Sequence, residues 1–107
     1  MKIVVDLNII ISALIKDSIT RKIIINSGFN FYFPEVSLHK IRKYKSYILE
    51  KSGLSQEEYD KTIETLFKYI KLVPTEEIIK NWNDAKKIMG NIDTEDVVFI
   101  ATALSIK

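Results

Sequence analysis

The chain has 107 residues, 47% of them hydrophobic and 28% charged, and a net charge of +2. That suits one small globular domain over residues 1–107 with a modest core, and it is too little positive charge to imply nucleic acid by itself. With no cysteine and a single histidine, a disulfide framework, a thiol nucleophile, a zinc knuckle and a His-rich metal site are all excluded.

No apolar stretch is long enough to span a bilayer. Asp6 interrupts the apolar N-terminal run and no small-residue cleavage site follows Ile15, so a cytoplasmic protein is expected. Lys2 to Val5 reads as a buried strand that runs directly into an apolar helix ending near Ile15, with Asp6 at the joint. Ser18 or Thr20 can cap a short helix through Arg21 to Asn26, which Gly28 is placed to end. Phe29 to Phe33 reads as a second strand stopped by Pro34. From Glu35 to about Ser52 the apolar positions Leu38, Ile41, Tyr44, Ile48 and Leu49 recur at helical spacing, and Gly53 closes that helix. Ser55 with Glu58 forms a capping box for a helix that buries Tyr59, Ile63, Leu66, Phe67 and Ile70. Lys71 to Val73 is a brief third strand before Pro74. Thr75 then caps a helix with Ile78, Ile79, Trp82, Ala85 and Met89 facing inward, and Gly90 ends it. Asp93 caps a last helix, Thr94 to Ile106, apolar almost all round and therefore expected to be central. The alternation predicts an α/β fold: a parallel sheet joined by right-handed crossovers.

Two acidic corners carry the chemistry. Asp6 ends a strand, where open α/β sheets bind their ligands, and Asn8 can cap the following helix or steady the Asp6 side chain. Asp93 and Asp96, three residues apart, lie at the start of the last helix, where its dipole favours anions. Each corner alone is explained by turn or helix-capping chemistry. Together they are how α/β folds assemble a hard-cation site, and Mg²⁺ or Mn²⁺ suits carboxylate oxygens where Cys and His are lacking. His39, Lys40, Arg42, Lys43, Lys45 and Lys51 interleave with Tyr44 and Tyr47 and could track an RNA backbone, although a solvated helix face is the plainer explanation. Trp82 and Phe67 keep register with apolar neighbours and read as core.

Val4-Val5-Asp6-Leu7-Asn8-Ile9-Ile10-Ile11-Ser12-Ala13-Leu14, together with Asp93-Thr94-Glu95-Asp96-Val97-Val98-Phe99-Ile100-Ala101-Thr102-Ala103-Leu104, closely resembles the PIN domain, the nuclease fold of VapC-type toxins and many archaeal RNA-processing proteins. The resemblance covers essentially the whole chain. It implies a three-layer PIN-like fold with helices on both faces of the sheet. It also implies Asp6, Asp93 and Asp96 as catalytic and metal-binding acids, with Asn8 as the polar residue beside Asp6; Asn8, Ser12 and, from the basic helix, Lys40, Arg42 and Lys43 are the candidate substrate contacts. The reaction implied is ribonucleolytic phosphodiester hydrolysis, with a divalent ion activating water. RNA, an antitoxin or other protein partner and a homodimer are the partners implied, toxin–antitoxin activity among the roles.

The sequence departs from the family pattern twice. Aligning Pro34-Glu35-Val36-Ser37-Leu38-His39-Lys40-Ile41 puts His39 and Lys40 where the family's Glu stands, with Glu35 a turn early. The family's further strand and Asp after the last helix have no counterpart before Lys107. A lysine among these acids lowers metal affinity, so single-ion or weak binding and low nuclease activity are expected. The alternative is a degenerate PIN domain that binds RNA or protein without cutting. Other α/β enzymes are disfavoured: a haloacid-dehalogenase-like phosphatase wants an Asp at Asn8, a receiver an acidic pair after the first strand, and a dinucleotide fold a glycine-rich turn there.

Overall fold

Three short β-branched and aromatic runs pair in parallel in the computed structural model, which describes residues 1–90 and 93–107. They are β1 (Lys2–Val4), β2 (Asn30–Pro34) and β3 (Ile70–Val73), with β2 in the middle. Ile3 pairs with Phe31 and Phe31 with Ile70, so the strand alternation lays one apolar row across a single face of the sheet. Tyr32, one residue on, faces the other side.

The chain steps from β1 to β2 to β3 in one direction, and right-handed crossovers in one direction put their helices on one face. That face holds α1 (Leu7–Leu14), α2 (Ile19–Asn26), a single 3-10 turn (Glu35–Ser37), α3 (Leu38–Lys43), α4 (Lys45–Ser52) and α5 (Gln56–Tyr69). Ile10, Leu14, Phe31, Phe33, Ile48, Tyr59, Leu66 and Ile70 form its core, with Phe33 and Phe67 edge to face at 6.2 Å. The opposite face is left for the chain after β3: α6 (Thr75–Lys80), α7 (Trp82–Met89) and α8 (Thr94–Ser105), which bury Val73, Ile78, Ala85, Val97 and Ala101. The three-layer arrangement expected from the sequence is therefore present. No helix among the described residues is long and apolar enough to cross a membrane.

Local signals explain most helix ends. Ser18 caps α2 by accepting the Arg21 N–H at 3.1 Å, and the Arg21 guanidinium reaches back to the Ala13 and Ile15 carbonyls at the end of α1, at 2.6 and 3.1 Å. Ser55 and Glu58 form the expected capping box of α5, and the Ser55 N–H donated to its carboxylate holds Glu58 below the usual glutamate range.

Three expectations are corrected. The helix expected over 35–52 is three pieces: the 3-10 turn, α3 and α4. The chain breaks at Tyr44 (φ −101°, ψ 16°), whose N–H is shared between the Lys40 and Arg42 carbonyls in a tightened last turn of α3. Tyr44, which periodicity places inside, is thereby turned out and is 43% exposed. The helix expected after Pro74 breaks at Asn81, whose amide donates to the Glu77 carbonyl at 2.9 Å and the Ser105 hydroxyl at 3.0 Å instead of facing solvent. Ile79 ends up exposed as a result. Finally, α8 is not central: it lies on one sheet face, and its Phe99 is 37% exposed.

Candidate active site

All three strands run parallel, so their carboxyl ends share one edge of the sheet, which is where α/β folds place ligands. Lys2 Nζ donates to the Ile106 carbonyl at 2.8 Å, which ties the far end of α8 to the start of β1. The N-terminus of α8 is thus carried to the end of the sheet where β1 gives way to Asp6. A cleft of about 450 Å³ opens there, lined by Asp6 and Asn8 from the β1–α1 joint, Ser37 and Lys40 from the segment after β2, and Glu95, Asp96 and Phe99 from α8.

Asp6 is held by its own helix. Its backbone is extended (φ −97°, ψ 179°) and Oδ1 accepts the Ile9 N–H at 2.9 Å, so Asp6 is the N-cap of α1. Its other carboxylate oxygen has no hydrogen-bond partner among the described residues. Asn8 is not the cap: it sits exposed in the first turn of α1.

At the opposing corner Asp93 caps α8, Oδ1 accepting the Glu95 N–H at 3.0 Å. Asp93 is not on the described cleft wall, whereas Asp96, three residues into the helix, lines it. Two helix N-termini, those of α1 and α8, therefore present partial positive charge to one group of carboxylates.

Lys40 reaches into the cleft and pairs with Glu95. Sequence inspection missed Glu95 as its partner because the two are 55 residues apart. The signal available was that Glu95 and Asp96 share a helix face with Phe99, at offsets of four and three. Glu35, the acid nearest the expected Glu position, points elsewhere: its carboxylate accepts from the Thr75 hydroxyl at 3.3 Å and starts α6.

The remaining candidates lie outside the cleft. Ser12 is exposed farther along α1, where its carbonyl accepts from the Ser18 hydroxyl at 2.7 Å. Arg42 borders a separate groove with Lys45, Tyr59 and Asp60, and the Lys43 ammonium sits 5.4 Å above the Tyr44 ring.

Among the described residues no three Asp, Glu, His or Cys side chains stand close enough to ring an ion. With Glu95 paired to Lys40, the cleft leaves Asp6, Asp96 and the Asn8 amide in an open space. That donor set fits a single Mg²⁺ or Mn²⁺, since such ions take one or two carboxylates and keep several waters.

A family model described as PIN domain matches residues 4–107. No curated protein and no solved structure matches the chain. PIN domains are nuclease-type domains that generally use divalent metals and bind RNA. Because the match runs from the last residue of β1, just before Asp6, through the helix that carries Asp96, this chain belongs to the PIN-domain family.

Proposed function

We propose that this protein is a divalent-metal-dependent ribonuclease with Asp6 and Asp96 as the carboxylates that hold one Mg²⁺ or Mn²⁺. The observation that supports this most is that Asp6 and Asp96, 90 positions apart, line the same cleft at the carboxyl edge of the sheet. Asp93 contributes by fixing the start of α8, which sets the position of Asp96. Asn8, on the same wall, offers an amide that can donate to a phosphate oxygen or accept from a metal-bound water. The bound ion would polarise the phosphodiester and lower the pKa of a coordinated water.

The Lys40–Glu95 pair favours a second reading, in which the domain binds RNA without cutting it. An ammonium in the cleft opposes a second cation, and its pairing takes up the Glu95 carboxylate, which leaves Asp6 and Asp96 for an ion. Cleavage of labelled single-stranded RNA in Mn²⁺ separates the two. Activity lost by at least about 100-fold in both Asp6→Asn and Asp96→Asn supports hydrolysis at this cleft. RNA retained intact by the wild-type chain at every Mn²⁺ concentration supports the binding-only reading.

A further inference from the structure

The break at Tyr44 places a surface next to the cleft that periodicity alone hides. Lys40 lines the cleft from α3; beyond it the same helix continues through Arg42 and Lys43 to the corner, and α4 carries Tyr47 and Lys51 away. Tyr44 and Tyr47 are 43% and 56% exposed, each with a lysine over its ring: Lys43 at 5.4 Å and Lys51 at 5.6 Å from the ring centroids. Exposed tyrosines held by cations beside a basic helix combine the two elements that single-stranded nucleic acid requires, flat faces for bases and positive charge for phosphates.

The charge is concentrated rather than spread. Residues 39–51 hold five lysines and arginines against one acid, Glu50, whereas the whole chain nets only +2, so the rest of the molecule is acidic on balance. Two of the five are engaged, Lys40 with Glu95 and Lys45 with Asp60 at 3.8 Å. Arg42, Lys43 and Lys51 make no ion pair among the described residues. Lys40 and Tyr47 are seven residues apart, so the chain itself holds them within roughly 25 Å and a strand whose phosphate sits in the cleft can reach both rings with its neighbouring nucleotides.

We propose that Tyr44 and Tyr47, with Lys43 and Lys51, form a stacking track for single-stranded RNA that leads out of the carboxylate cleft along α3 and α4. The proposal rests on the ribonuclease reading and assigns the substrate's flanking nucleotides to named side chains. A duplex has no free base faces to offer the two rings, so the track selects unpaired RNA. An acidic protein surface would match the lysines but would leave the tyrosine faces without a role.

The test is fluorescence anisotropy with a 5′-labelled 12-nucleotide oligouridine, using the full chain carrying Asp6→Asn to prevent cleavage. Tyr47→Ala is expected to weaken binding by about 5-fold or more, and Tyr44→Ala likewise. Tyr47→Phe, which keeps the ring, stays near the parent. Lys43→Gln with Lys51→Gln lowers the slope of log affinity against log salt by about 0.7 for each lysine that meets a phosphate. Both tyrosines are exposed, so melting temperatures are expected to stay near the parent's. Alanine variants that bind like the parent, or a Tyr47→Phe loss equal to that of Tyr47→Ala, overturn the track. Cleavage by the unsubstituted chain with those same results leaves the ribonuclease reading standing. Absence of both binding and cleavage overturns both and leaves the basic face to a protein partner.

Discussion

The two faces of the sheet are built to different depths. Among the described residues, the face covered by α1 to α5 holds twelve buried apolar residues, whereas the face covered by α6, α7 and α8 holds five. The first face fills the space between two crossovers of the sheet, the second only what the chain adds after its last strand. The cleft lies where they meet, with Asp6 delivered by the thick layer and Asp96 by the thin one. One carboxylate is thus carried by the layer with the larger core and the other by the layer with the smaller one.

If that contrast is right, the two cores respond unequally to truncation. Leu14→Ala on the thick face is expected to cost about 2–5 kcal/mol, because Leu14 is fully buried and the layer around it cannot collapse into the space. Val97→Ala on the thin face removes less apolar surface and is expected to cost about 1.5 kcal/mol. Denaturant melts that show equal losses would erase the contrast. Next in size is the charge that the cleft carries between the layers. Lys40→Gln removes the ammonium beside the acids, and Mn²⁺ affinity measured by calorimetry should rise about 10-fold, the equivalent of roughly 1.4 kcal/mol for a cation near a divalent ion in high dielectric. Unchanged affinity would show that Lys40 does not feel the ion.

Smaller effects sit within the thick layer. The Tyr59 hydroxyl is buried with no hydrogen-bond partner among the described residues, and burial raises its pKa. Tyr59→Phe is therefore expected to stabilise by about 1 kcal/mol, since it deletes an unsatisfied group and keeps the ring. The folded pKa lies above the unfolded one, so the fold keeps its stability below the usual tyrosine range and loses some of it as pH rises from that range through the raised value. A flatter alkaline limb in Tyr59→Phe checks the sign. Ser55→Ala opens the capping box of α5 at a cost of about 1 kcal/mol. Because Glu58 is held below the usual glutamate range, the box is intact above that range and is lost as pH falls through the lowered value. Ser55→Ala melts should show less acid destabilisation than the parent.

What the sequence made legible follows from how local each signal is. The strands, the Ser55–Glu58 box and the Asp93 cap are written in neighbouring residues, and each appears where the pattern places it. Two paired regions far apart in sequence were legible as acidic corners because β1 and α8 carry them at their ends. The breaks at Tyr44 and Asn81 were not, since an unbroken 3.6-residue period says where an apolar face lies but not whether the helix stays straight. The partner of Lys40 was equally hidden, because an ion pair across 55 residues depends on how α8 is laid over the sheet. Asp93 is legible as the helix cap, but which of Asp93 and Asp96 stands on the cleft wall is not, because that depends on how α8 is laid over the sheet.

Calorimetric titration of Mn²⁺ into the wild-type chain, Asp6→Asn, Asp96→Asn and the double variant addresses the shared cleft most directly. One equivalent is expected in the wild type, with each single substitution removing most of the affinity and the double removing little more, as for two ligands of one ion. Losses that simply add, or an Asp96→Asn variant that binds like the wild type, would contradict a common ion between the two layers.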